Sequence, residues 1–138
     1  MATFEIIDRV ATAEEHRALR DSVGWSDHID ESVLEASLRA SVRGAVAVRD
    51  GEVVGMARLV GDGVHYYYVQ DVVVHPDHEG DGIASELTAR LVTWVAATAT
   101  RPAFVGLFAS SDAEGVYESL GFTTEGATGM HVLLPARD

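Results

Sequence analysis

A chain of 138 residues with 47% hydrophobic composition is the size of one domain and can bury a core without disulfides or a structural metal. The absence of cysteine excludes disulfides, zinc–thiolate sites and cysteine nucleophiles. The formal net charge is −12 and all 10 basic residues are arginine, which argues against nucleic acid and anionic membranes as partners, since these are bound through basic side chains.

The opening Met1-Ala2-Thr3-Phe4-Glu5 lacks the basic and apolar regions of a secretory signal. No apolar stretch approaches the roughly 20 residues that cross a bilayer. The expectation is a soluble, cytoplasmic protein. The acid excess has two readings: adaptation to high salt, where a carboxylate surface stays hydrated and self-repulsion is screened, or a coding bias that replaces lysine by arginine. The size of the excess favours the first.

In chain order, residues 3–10 read as a strand of β-branched and aromatic residues. Thr12 with Glu15 three residues on is a capping-box pattern, and a helix is expected to about Val23. Gly24-Trp25-Ser26 breaks it. A second helix starts at Asp30, with Val33, Leu34 and Leu38 at helical spacing, and Gly44 ends that region. Residues 45–49 and 52–60 alternate around Asp50-Gly51, a strong hairpin signal. Residues 64–74 are expected to form a long strand whose apolar last third points to burial on both faces. Residues 75–82 form a loop. A helix follows to about Ala97, with Ile83, Leu87, Leu91, Trp94 and Val95 on one stripe. A buried strand is predicted over residues 103–109, a short helix capped by Ser111 or Asp112 and running through Leu120, with Gly121 in the C-terminal cap, and a last strand over residues 130–134. The sum is one domain spanning residues 1–138. Its predicted class is an α/β fold: a mixed antiparallel and parallel twisted sheet flanked by about four helices.

The informative segment is residues 72–84, Val-Val-Val-His-Pro-Asp-His-Glu-Gly-Asp-Gly-Ile-Ala. A strand, a glycine-containing loop and a helix start expose unpaired backbone N–H groups at the positive end of a helix dipole. Such a place binds phosphate without a basic side chain. Gly80 and Gly82 leave the approach open, and Ala84 leaves room on the first turn.

The segment Glu79-Gly80-Asp81-Gly82-Ile83-Ala84, preceded by Val74-His75-Pro76, resembles the cofactor loop of the GNAT superfamily of acyl-CoA-dependent N-acetyltransferases, which reads Gln/Arg-x-x-Gly-x-Gly/Ala. A second signature of that family, Tyr-Glu-x-Leu-Gly-Phe, matches Tyr117-Glu118-Ser119-Leu120-Gly121-Phe122. Order and spacing fit, and the resemblance covers essentially the whole chain. Glu79 stands where the family has Gln or Arg, and Asp81 where a basic residue is common. Both carboxylates are expected to point to solvent while the backbone binds.

The resemblance implies acetyl-CoA as co-substrate. It places the pantetheine arm against Val72, Val73 and Val74, and the pyrophosphate on the N–H groups of Gly80, Asp81, Gly82, Ile83, Ala84 and Ser85. It implies direct attack of a primary amine on the thioester in a ternary complex, with no acyl-enzyme. Tyr117 matches the family's general acid, and Ser111 stands where relatives carry an Asn against the pantetheine arm. Asp71, a carboxylate in an apolar strand, is the first candidate for the base; burial is expected to raise its pKa. It could equally hold the substrate ammonium, or be a structural carboxylate. Tyr68 and His65 are lesser candidates. Trp25 and Tyr68, with Asp27 and Asp71, are expected to line the acceptor pocket and to suit an amine with an apolar or aromatic body; for Trp25 a satellite hydrophobic cluster is the alternative.

A calcium loop is a rival reading of Asp77-x-Glu79-x-Asp81-Gly82, but the twelfth position is Thr88 and not Glu. His75 and His78 lack a second zinc-ligand cluster, so no metal is expected. A non-catalytic acyl-CoA-binding protein and a protein N-acetyltransferase remain alternatives to a small-amine enzyme. A homodimer is compatible with the sequence, and nothing in residues 123–138 decides it.

Overall fold

Five strands form one sheet in the computed structural model, which describes residues 3–25 and 29–135. They are β1 (Glu5–Ile7), β2 (Arg43–Arg49), β3 (Glu52–Gly61), β4 (Tyr66–Val74) and β5 (Phe104–Gly106), in spatial order β1-β2-β3-β4-β5. The first four pair antiparallel and β5 runs parallel to β4. The β2–β3 hairpin closes on Asp50 and Gly51, both at positive φ (52° and 81°), the backbone that a two-residue hairpin turn demands.

The chain divides into two compact units, Met1–Leu107 and Phe108–Asp138. The first holds the sheet and three helices: α1 (Ala13–Ser22), α2 (Glu31–Arg39) and α3 (Ile83–Thr98). Thr12 caps α1 in a full capping box with Glu15, and Asp30 caps α2. Helix α3 buries Ile83, Leu87, Leu91 and Val95 against Ala57, Leu59, Tyr67 and Val69 on one sheet face. Each such aliphatic side chain contributes roughly 1.5–3 kcal/mol by leaving water. On the other face Leu19 of α1 packs with Val46, Met56 and Val73.

The second unit contains α4 (Glu114–Ser119). Its end shows what the Tyr-Glu-x-Leu-Gly-Phe signature does physically. Gly121 has φ 98°; its N–H donates to Glu118 O, and the Phe122 N–H donates to Tyr117 O at 3.1 Å. That pair of bonds is a Schellman stop. The ring of Phe122 meets that of Tyr117 edge-on at 6.1 Å, the apolar contact that accompanies such stops. The glycine supplies the left-handed residue, and the two aromatics lock the turn.

The structure differs from the sequence expectations at several places. Strand β1 keeps only three residues, and Gly44 lies inside β2 rather than ending a helical region. A Cβ on Gly44 would stand 2.5 Å from the Cα of Val10, so the close crossing of two backbones explains the glycine. Strand β5 is three residues long and only partly buried, because its ladder with β4 ends at Tyr68↔Gly106. Neither Ser111 nor Asp112 caps α4; Ala113 holds that position without a side-chain hydrogen bond. Residues 130–134 form no strand, and Met130, Val132, Leu133 and Leu134 are 77–86% exposed; alternation and β-propensity do not make a strand without an edge to pair with.

Candidate active site

The loop between β4 and α3 contains one 3-10 turn, Pro76–His78, and then Gly80 and Gly82 at φ 89° and 81°. A Cβ on either glycine would meet nothing within 4 Å, so the left-handed backbone, and not a lack of space, requires them. Unlike α1 and α2, helix α3 has no side-chain cap. Its first helical bond runs from Glu86 N–H to Gly82 O, which leaves the amides of Ile83, Ala84 and Ser85 without an intrahelical acceptor. The helix start is seated by Gly55 of β3, where a Cβ would stand 3.0 Å from Ile83 and 3.2 Å from Leu87.

Strand β4 supplies the second feature. Between Arg58↔Gln70 and Met56↔Val73, three steps of β4 oppose two of β3, so β4 carries a bulge at Asp71, whose φ is 59°. A non-glycine residue held there is strained, and a bulge re-aims side chains. Tyr67 and Val69 face α3 before the bulge, and Val72 and Val74 pack toward that side after it. Simple alternation would have put Asp71 in that apolar layer. The extra residue turns it to the opposite face, beside Gln70. Beyond Tyr68↔Gly106, residues 69–74 have no β5 partner among the described residues, so the strand end presents an open edge.

Turned this way, Asp71 meets a polar cluster. Its Oδ2 accepts from Nε2 of His16 at 2.8 Å and from Nε of Arg58 at 2.8 Å, and its Oδ1 accepts from the Gln70 amide at 2.9 Å. Arg58 also donates to the carbonyl of Ser37 and the hydroxyl of Ser41, both at 3.0 Å, tying the end of α2 to the sheet. The expected rise of the Asp71 pKa is not found. Burial alone pushes it up, but hydrogen bonds from His16, Arg58 and Gln70 and the Arg58 charge outweigh burial and bring it from 3.8 to about 2. An ionised carboxylate only accepts hydrogen bonds, so His16 carries its hydrogen on Nε2 and, as neutral imidazole, presents Nδ1 as an acceptor. Nδ1 is buried with no hydrogen-bond partner among the described residues.

This cluster floors a cavity of about 220 Å³ between α1, α2 and the sheet, lined by His16, Ile29, Asp30, Val33, Leu34, Ser37, Arg58, Gln70 and Asp71. His16, Arg58 and Asp71 also line an adjoining void of about 10 Å³. Trp25 is 45% exposed and, like Tyr68, is not among the residues lining this cavity, whose apolar side is Ile29, Val33 and Leu34. Asp27 lies outside the described residues. His65 lies at the surface and bonds the carbonyl of Pro102 through Nδ1 at 2.7 Å. Glu79 is exposed as expected, but Asp81 does not simply face solvent: its Oδ2 is 3.1 Å from Nη2 of Arg49. Among the described residues no group of three or more His, Asp and Glu could hold a metal ion, and no helix is long and apolar enough to cross a membrane.

Ser111 and Tyr117 belong to the second unit. Ser111 is exposed. Tyr117 is buried, and burial pushes its phenol up from 10.0, so it is fully protonated at neutral pH. Sequence reasoning missed His16, Arg58 and Arg49. His16 had a signal, a polar residue at i−3 from Leu19 and i−7 from Val23 on the apolar stripe of α1. Arg58 had a weaker one, a charge inside an apolar strand.

The sequence profile of the acetyltransferase (GNAT) family matches residues 6–122, a span that includes the loop, the bulge and α4. The chain belongs to the GNAT family of acetyltransferases. The chain is 30% identical over 122 residues to an uncharacterized N-acetyltransferase, ycf52, of Gracilaria tenuistipitata var. liui, covering 81% of this chain and 63% of that protein. It is thus similar to somewhat less than two thirds of that relative's length. Among solved structures, a GNAT-family acetyltransferase from Streptococcus pneumoniae aligns with a TM-score of 0.79 at 28% identity, over 97% of this chain and 100% of that one. A probable acetyltransferase of unknown function from meticillin-resistant Staphylococcus aureus aligns with a TM-score of 0.84 at 22% identity, over 96% and 100%. The mixed five-stranded sheet is therefore a GNAT sheet.

Proposed function

We propose that this GNAT protein transfers an acetyl group from acetyl-CoA to the nitrogen of a small primary amine by direct attack, as a single acetyltransferase domain over residues 1–138. The observation that carries the reading is the uncapped start of α3 behind Gly80 and Gly82, next to the open edge of β4. Three amides without acceptors and a helix dipole suit a pyrophosphate. An unpaired strand edge at residues 72–74 suits the amide groups of a pantetheine arm, which can pair as an added strand.

The acceptor nitrogen attacks the thioester carbonyl carbon, the C–N bond forms, the C–S bond breaks, and CoA leaves as thiol. Two protons move. Tyr117, protonated and buried, gives one to the departing sulfur. The other leaves the acceptor's ammonium for the buried Nδ1 of His16, while Asp71 fixes the ring and its tautomer through Nε2, a division of labour in which the carboxylate orients the base and is not itself protonated. Asp71 held at about 2 is too weak a base to serve directly. A cavity of about 220 Å³ with two carboxylates and a partly apolar wall fits a compact amine better than a peptide.

Calorimetric titration with acetyl-CoA, beside Gly82→Trp, tests the reading, followed by thiol-release assays across primary amines with Tyr117→Phe as control. Saturable binding abolished by Gly82→Trp, and turnover lowered by Tyr117→Phe, are the expected results. A protein that binds no acetyl-CoA removes the proposal; one that binds it but acetylates only peptides reverses the choice of acceptor.

A further inference from the structure

The cofactor loop has a charge problem. Residues 75–84 carry Asp77, Glu79 and Asp81 and no arginine or lysine, yet the loop is read above as a diphosphate site, and the inference here rests on that reading. Like charges a few ångströms apart repel. The compensating cation comes from elsewhere in the chain. Arg49, the last residue of β2, is 7% exposed. Its Nη1 donates to Nδ1 of His78 at 2.8 Å, and its Nη2 stands 3.1 Å from Oδ2 of Asp81. Those two loop residues flank Gly80, so the guanidinium lies behind the turn that precedes the free amides of α3.

The guanidinium is also unsatisfied. Nε and Nη2 are buried without a hydrogen-bond partner among the described residues, the Asp81 oxygen being near enough for ion pairing but not aligned as an acceptor. The ring of Phe4, 5.8 Å from the guanidinium carbon, covers it on another side. Buried guanidinium groups are normally paired through most of their five donors. One kept half-paired behind a loop of acceptor-free amides has a structural reason if an anion completes the set of charges.

We propose that Arg49 is the cation of the pyrophosphate site: a positioning residue that neutralises Asp81, holds the loop through His78, and adds its field to the amides of α3. The usual loop cation is thereby replaced by one reaching in from the β2–β3 hairpin. Nothing in the loop sequence reports this, because the residue lies about 30 positions upstream.

The test is a charge-coupling cycle read by calorimetry with acetyl-CoA on wild type, Arg49→Met, Asp81→Asn and the double variant. Arg49→Met is expected to weaken binding about 10-fold, since the pair it breaks is buried on the arginine side and half exposed on the Asp81 side. Asp81→Asn alone removes a repelling carboxylate and frees Arg49, and is expected to tighten binding. In the double variant most of the loss returns, because the uncompensated carboxylate is gone; a purely structural arginine would give no such recovery. Should Arg49→Met fail to fold, Arg49→Lys with and without Asp81→Asn reads the same coupling. Binding by Arg49→Met as tight as wild type overturns the proposal, as does a double variant no better than the single one. Wild type that binds no acetyl-CoA removes the cofactor reading itself, a different and distinguishable failure.

Discussion

Asp71 shows how much a single residue's neighbours decide. A carboxylate in an apolar strand invites the inference of a raised pKa and a base, yet three donors reach it and hold it at about 2. The sign of its contribution to stability follows. Its folded value lies below the ordinary 3.8, so its contribution is fully present above about pH 4–5 and is lost as pH falls through 3.8 toward 2; the size is about 2 kcal/mol. Asp71→Asn is expected to flatten that acid limb in a melting-temperature profile, and an unchanged limb would assign it to other carboxylates. In the proposed reaction the chemistry falls to its partner, His16. His16→Gln keeps a donor for Asp71 but has no basic nitrogen. It is expected to lower kcat/KM by about 10²–10⁴, the usual worth of a general base. Acetyl-CoA affinity should stay as in wild type. A variant that keeps the wild-type kcat/KM would show that His16 only ties α1 to β4.

At the scale of elements, the site is made where α3 and β4 depart from regularity. Helix α3 lacks the side-chain cap that α1 and α2 have, and its start is pressed against Gly55. Gly55→Val places new methyl groups against Ile83 and Leu87, and overpacking of this kind costs about 1–3 kcal/mol. The expected outcome is a lower melting temperature together with weaker acetyl-CoA binding, because the amides of residues 83–85 move with the helix. Thr12→Ala provides the contrast: loss of the α1 capping box costs about 1 kcal/mol and should leave acetyl-CoA affinity unchanged. If both variants weaken binding equally, affinity follows general stability and not the seat of α3. The bulge in β4 is the other departure. It places Gln70 and Asp71 on the same face, which regular alternation forbids, and so builds the floor of the cavity.

For the whole molecule, a net charge of −12 predicts strong self-repulsion in dilute buffer. Added salt screens that repulsion, so the melting temperature is expected to rise from dilute buffer to molar salt. A flat or falling profile would assign the missing lysines to coding bias. The surface pairs Arg90–Asp8 and Arg9–Glu15 are too exposed to offset the trend, since such pairs are each worth about 0–1 kcal/mol and weaken in salt.

By itself the sequence determined what is local. The Thr12–Glu15 capping box, the Asp50-Gly51 hairpin, the stripe of α3 and the glycine loop before it are written in residues a few positions apart, because hydrogen-bond reach and helical or strand periodicity act over that distance. The Tyr-Glu-x-Leu-Gly-Phe signature was legible for the same reason: a helix stop is made by its own six residues. Tertiary structure decided the chemistry of the polar floor. Asp71 meets His16 from 55 positions away, and Arg49 meets Asp81 across 32. A one-residue bulge that no spacing announces chose which face Asp71 would take. Charges and pKa values depend on what lies within a few ångströms, and in a folded sheet those neighbours come from different strands and helices.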